Sequence, residues 1–324
     1  MFMMFLVLLV MVFAIRSCGE DGDQELVTTE VSAEERKRPE LPRGGRRLFP
    51  DFRVVALYGN PRAAELGELG IGTPTRAGIK LENRARPYAR KTRPVLPAME
   101  LIATIATAAP GPRGDHREPM PDSMIARYHR AARKMKALLI LDIQPGRAKF
   151  GPDIARLERW LREPDVGLAL DPEWHVGPDQ VPGQVIGSTD ARAINAVVGY
   201  LAQLVAKHDL PEKLLLVPRF TESMIVGDAE IRERRGVQVV INIDGFGNRA
   251  DKTAKYEELA GRTPQAGASR RVADPRGGPG SSSHASISWC CRSEAPTRNQ
   301  SGRLAWPEVK VSSRAPQPRS SSKH

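Results

Sequence analysis

The 324-residue chain predicts an α/β fold of the (β/α)8 TIM-barrel type, incomplete at about six strand–helix units and followed by a disordered C-terminal tail. Three observations carry this reading. Short apolar runs of strand length alternate with stretches of helical period, the pattern of a parallel sheet covered by helices. The runs are bounded by Gly, Pro and Asn. Polar residues stand at their carboxyl ends, where barrel enzymes keep their reactive groups.

The first strand is read at 53–58 (RVVALY) and is stopped by Gly59-Asn60-Pro61; the second, at 100–107 (ELIATIAT), is stopped by Ala109-Pro110-Gly111. Asp122-Ser123 then predicts the cap of a basic helix through residue 136. A third strand at 137–143 (ALLILDI) ends at Gln144-Pro145-Gly146, and Asp153 predicts the cap of a helix over 154–162 with the apolar stripe Ile154, Leu157, Trp160 and Leu161. The fourth strand, 166–170 (VGLAL), runs into Asp171-Pro172-Glu173-Trp174. Residues 188–190 open a long helix to about 208, striped by Ile194, Val197, Val198, Leu201, Leu204 and Val205. A fifth strand at 214–217, a helical stretch at 221–235 and a sixth strand at 237–243 complete the series.

The flanks read differently. Residues 1–15 are uninterruptedly apolar, shorter than the roughly 20 residues of a spanning helix but suited to the core of a secretory signal. Ile15-Arg16-Ser17-Cys18 is similar to a bacterial lipobox, which implies lipidation at Cys18 and a chain that is secreted or anchored on the outer face of the cytoplasmic membrane. Residues 1–18 are therefore expected to be a signal, 19–50 a disordered tether, 51–260 the partial barrel and 261–324 a disordered tail. The abrupt loss of apolar period after Leu259 also fits a segment translated in a shifted reading frame.

The net charge of +11 points first to nucleic acid. Its location removes that partner: residues 261–324 hold 11 Lys and Arg against 3 Asp and Glu, leaving 38 basic against 35 acidic groups in 1–260. The basic run 127–136 is the solvated face that a covering helix needs. Cys18, Cys290 and Cys291 give no zinc spacing, and the glycines at 59, 67, 70 and 72 match no nucleotide loop, so neither metal nor cofactor is expected.

The fourth strand carries the functional expectation. If it continues to Glu173, the alternation of side chains puts Ala169, Asp171 and Glu173 on one face, with an indole next to them. Asp142 shares a face with Ile140, and Asn242 shares one with Asp244, so several acids would converge on one mouth. Two close carboxyls drive one pKa upward, which suits a general acid. Glu173, longer and nearer the mouth, is expected to be that acid, and Asp171 to orient the substrate or stabilise the intermediate. Trp174 and Tyr58 offer aromatic faces for sugar rings. Arg219 is expected to balance the acids or to contact substrate, and His175 to be a relay partner or an ordinary loop residue.

Asp-x-Glu-Trp after an apolar fourth strand resembles the chitinase-like family-18 glycoside hydrolases, and the chain as a whole is similar to exported barrel proteins of high-GC bacteria. The resemblance implies Glu173 as acid, Asp171 orienting an N-acetyl group that acts as nucleophile, and a cell-wall or chitin-type glycan as substrate. Of the longer motif Asp-x-x-Asp-x-Asp-x-Glu, the first two acids are replaced by Val166 and Ala169, and Pro172 separates the remaining two. Two functions stay open: a glycoside hydrolase, or a cell-envelope lipoprotein that binds glycan without cutting it.

Overall fold

In the computed structural model the described residues are 38–62, 64–243, 254–256 and 258–259, with the backbone of four short segments between 271 and 305. The parallel strands are β1 (Arg53–Gly59), β2 (Val95–Ala106), β4 (Leu138–Ile143), β5 (Val166–Leu170), β7 (Lys213–Arg219) and β9 (Val237–Ile243); a short β3 (Arg117–Pro119) lies antiparallel on β2. Their spatial order is their chain order, β1-β2-β4-β5-β7-β9, with no reversal. A sheet wound in one direction curls and takes its helices on one face, and the result is an incomplete, TIM-like half-barrel.

Helices α1 (Pro74–Ala85), α2 (Asp122–Lys134), α3 (Gly151–Leu161) and α4 (Ala191–Lys207) cover the outer face. Val55, Leu57, Met99, Leu101, Leu139, Leu141, Leu168, Leu215, Val217 and Ile241 alternate outward into this layer, together with Leu81, Ile125, Leu157 and Leu201 from the helices. The residues between them in sequence, Val54, Ala56, Leu96, Ala98, Leu138, Ile140, Ala169, Leu214, Leu216 and Val240, face inward. Both faces are buried, so the strands are continuously apolar rather than alternating.

A plug fills the lower part of the inner face. Leu41, Leu48, Phe49 and Phe52 are buried with the inward side chains. Arg46 donates to Asp209 Oδ1 at 2.9 Å and to the Leu210 carbonyl at 2.9 Å, while the Leu48 N–H donates to Glu212 Oε2 at 2.7 Å. The boundary expected at Asp51 is thereby corrected: residues 38–50 are packed chain, charged on one side and apolar on the other. The rest of the expected tether and signal, including Cys18, lies outside the described residues.

Other corrections have local causes. Pro97 sits inside β2, paired with Val55, so the strand begins at Val95 and not at Glu100. Helix α1 has no counterpart in the expected series; Thr73 caps it by accepting from the Arg76 N–H, and Pro74 occupies its first turn. Asp122 and Asp153 lie within the first turns of α2 and α3 rather than capping them. The helix expected at 221–235 is two 3-10 turns, Glu222–Met224 and Asp228–Glu230, around a short β8 (Ile225–Val226) that pairs with β6 (Thr189–Asp190). Most of 261–324 lies outside the described residues. Within it, Arg271–Ala273 runs parallel to β9 and Trp289–Cys290 antiparallel to β1, so each sheet edge is partly paired.

Candidate functional site

The inward side chains form rows that the ladder register fixes. Tyr58 is opposite Glu100, which is opposite Ile140; one row nearer the carboxyl ends, Ile102 is opposite Asp142, which is opposite Ala169. Asp171 follows one residue after β5, its N–H still donating to the Ile143 carbonyl at 3.0 Å. Apolar rows below and acidic residues above thus share one concave face.

The carboxyls are deeply placed: Glu100 and Asp142 are each 1 % exposed and Asp171 6 %. Among the described residues neither oxygen of Asp142 has a hydrogen-bond partner of ordinary geometry. Burial, then the charges of Asp171 and Glu100, push the Asp142 carboxyl well above its ordinary range, and the adjacent Tyr58 hydroxyl offsets only part of this. Burial likewise pushes the Tyr58 phenol well up, followed by Asp142, Asp171 and Glu100 in that order. Three carboxyls crowded on one buried face raise the proton affinity of Asp142, and such close groups titrate together rather than singly.

Polar residues brace the group. Gln144 Nε2 donates to the Tyr58 oxygen at 3.1 Å, and Gln144 Oε1 accepts from the Ala106 N–H at 3.0 Å. Asn60 Nδ2 donates to the Ile102 carbonyl at 3.2 Å, which ties the end of β1 to β2. Behind Asn60 the chain passes backbone against backbone: a Cβ on Gly70 would lie 2.0 Å from the Asn60 carbonyl oxygen. That close approach accounts for Gly70 without a nucleotide.

The structure brings Asp142, Asp171 and Tyr58 together, and with them Glu100, Gln144 and Asn60. Glu173 is placed differently. Pro172 has no N–H for a ladder, β5 closes at Leu170, and Pro172–Trp174 forms a 3-10 turn, so strand alternation does not carry Glu173 onto the face of Asp171. Glu173 and Trp174 are half-buried at the rim. The Glu173 carbonyl accepts from the Gly187 N–H at 2.7 Å, and Gly183 lies against the indole. His175 packs at a tilt against Phe150 with ring centres 5.4 Å apart, donates from Nδ1 to the Ser188 carbonyl at 2.7 Å, and lines a groove of ≈ 890 Å³ on the side of α3 and α4.

Arg219 follows Leu215 and Val217 in the pleat and so lies on the helix-facing side of β7, its guanidinium donating to Asp228 Oδ2 at 2.6 Å. The charge it balances is Asp228. Asp244 lies outside the described residues. Among the described residues no group of three or more His, Cys, Asp or Glu is spaced to hold a metal ion, and no helix is long and apolar enough to cross a membrane.

Comparison with protein-family models, with curated proteins and with solved structures finds no match to this chain.

Proposed function

We propose that the chain is a glycoside-hydrolase-like protein acting on an N-acetylated cell-wall or chitin-type glycan, with the mouth of the half-barrel as its site. The observation that carries this reading is the buried cluster of Asp142 and Asp171 with Glu100 and Tyr58, in which burial and like charge raise the proton affinity of Asp142. Cleaving a glycosidic bond needs one carboxyl to protonate the leaving oxygen and another group to stabilise the cationic sugar. Glu173, at the rim, is the carboxyl that reaches an entering sugar and serves as the acid. Asp171 orients the substrate, and Asp142 stores the proton behind it. Trp174 and Tyr58 supply the aromatic faces. The apolar leader and Cys18 support export, with lipid attachment at Cys18.

Turnover of chitooligosaccharides and of peptidoglycan, each followed with wild type and with Glu173→Gln, tests this. A loss of kcat of roughly 10²- to 10⁴-fold in the variant is expected from removing a general acid. Unchanged turnover in the variant takes Glu173 out of the mechanism. The exposures of Glu100 and Asp142 favour a second reading, a glycan-binding protein without catalysis, because acids this deep are poorly placed to meet a scissile bond. Binding of the same glycans by wild type, with no turnover, selects it.

A further inference from the structure

We propose that the groove between α3 and α4 binds a small uncharged molecule, an apolar alcohol or phenol whose hydroxyl donates to His175. The groove contains none of the carboxyls of the acidic cluster, and it stands whether or not the chain acts on a glycan.

Small side chains open the space. Gly151 and Ala155 line it from α3 and Ala193 and Ala196 from α4, above an apolar floor of the buried Ile154 and Val197. A Cβ placed on Gly151 would meet nothing within 4 Å. Tyr200 ties the two helices together at one end, its hydroxyl donating to Glu158 Oε2 at 2.7 Å. The cavity of ≈ 890 Å³ lies in the size range of small-molecule sites, and most of its lining is apolar. The lining of α3 runs from Gly151 to Glu158, about 10 Å at 1.5 Å per residue, which is shorter than the three to four turns of an ordinary docked helix.

The polar groups fix the chemistry of the occupant. His175 is held against Phe150, and its Nδ1 meets the Ser188 carbonyl at 2.7 Å. A carbonyl only accepts, so Nδ1 carries the proton and the neutral ring presents Nε2 as an acceptor. Among the described residues Nε2 has no hydrogen-bond partner. The groove therefore offers an acceptor beside Phe150, two turns of α3 away from the Tyr200–Glu158 closure. Of the charged lining residues, Lys149 and Arg192 are matched in number by Asp190 and Glu158, and Arg192 pairs with Asp190 at 3.4 Å. The lining thus carries no net charge to select an ion, and an ion would give up its hydration against the apolar floor. A neutral molecule, apolar along its length and a donor at one end, meets each of these conditions.

Isothermal titration calorimetry of the whole chain at mildly alkaline pH, with 1-naphthol, naphthalene and 1-naphthoate as probes, tests this. Wild type is expected to bind 1-naphthol about tenfold more tightly than naphthalene, the worth of one hydrogen bond, and more tightly than 1-naphthoate. His175→Phe should bring 1-naphthol down to the affinity of naphthalene and leave naphthalene unchanged. Ala155→Leu and Ala196→Leu, at exposed helical positions on opposite walls, should each weaken both neutral probes by about tenfold or more by filling the groove. No binding of 1-naphthol by wild type, binding untouched by both leucine variants, a preference for 1-naphthol that survives His175→Phe, or 1-naphthoate as the tightest probe overturns the proposal. A wild-type dimer in sedimentation equilibrium that Ala196→Leu dissociates also overturns it, by giving the groove to a second copy of the chain. If His175→Phe does not fold, as judged by circular dichroism, the wild-type His175 ring resonances decide: they should move as 1-naphthol saturates the protein, and unmoved signals reject the assignment.

Discussion

Two buried charged clusters lie at opposite ends of the same sheet, and they are built on opposite rules. At the amino end, Asp165 is met by His129 Nε2 at 3.0 Å and by Arg133 Nε at 2.9 Å, and Lys213 donates to the carbonyls of Val166 at 2.8 Å and of Glu163. The carboxylate there has complementary partners, and the amine has only backbone acceptors. At the carboxyl end, Asp142 sits among Asp171, Glu100 and Tyr58, and its nearest charges have its own sign. Burial by itself would raise the Asp165 pKa, yet the bonds and charges of His129 and Arg133 reverse this and leave it lowered; nothing does the same for Asp142. Complementary burial holds a fold together, whereas like-charge burial stores a protonation state at a cost in stability.

Removing one member from each end should break the comparison most sharply. Asp165→Ala leaves the buried His129 Nε2 and Arg133 Nε without their acceptor and should cost about 2–3 kcal/mol in urea unfolding at pH 7. The stability contributed by Asp165 is present above its ordinary value of 3.8 and is lost as pH falls through its lowered native value.

Lys213 is the next lever. Burial holds its amine down, against the pull of Asp165 and Glu163, at about 7 in place of 10.5. Stability from the neutral amine is complete above 10.5 and is lost as pH falls through about 7. Wild type should therefore gain roughly 2 kcal/mol between pH 7 and 9 from this group, and Lys213→Met should lack that gain in paired denaturation curves.

The smallest of the three effects should have the opposite sign. The Asp142 carboxyl is raised, so its favourable contribution is present below 3.8 and disappears as pH rises through the native value. Asp142→Asn should thus stabilise the protein at pH 7 by about 1 kcal/mol. Destabilisation by Asp142→Asn would mean that the two ends do not differ as argued.

What is legible in the sequence follows the same division. Parallel strands buried on both faces are apolar throughout and end at breakers, so β1, β4, β5 and β9 can be read almost to the residue. Pro97 reads as a stop, which makes Glu100 the first residue of a strand and hides its inward position among acids. The stripe of α1 is made of small residues, Ala77, Gly78 and Ala85 around Leu81, too weakly apolar to register as a period. In 221–235 Met224 and Ile231 are seven apart, as on one helical face, but Gly227 between them takes a left-handed conformation with φ 68° and breaks the run. Asp171 groups with Asp142 in sequence and structure alike because both follow strand pleats. Glu173 does not, because Pro172 ends the pleat before it.

The plug under the sheet sets an order of events in synthesis. Arg46 and Leu48 take their partners from Asp209, Leu210 and Glu212, more than 160 positions later in the chain. At ribosomal speeds these leading apolar residues wait roughly 8–30 s for those partners to be made. Phe49 and Phe52 are exposed for that interval, so a chaperone has its natural substrate at the leading edge of the domain.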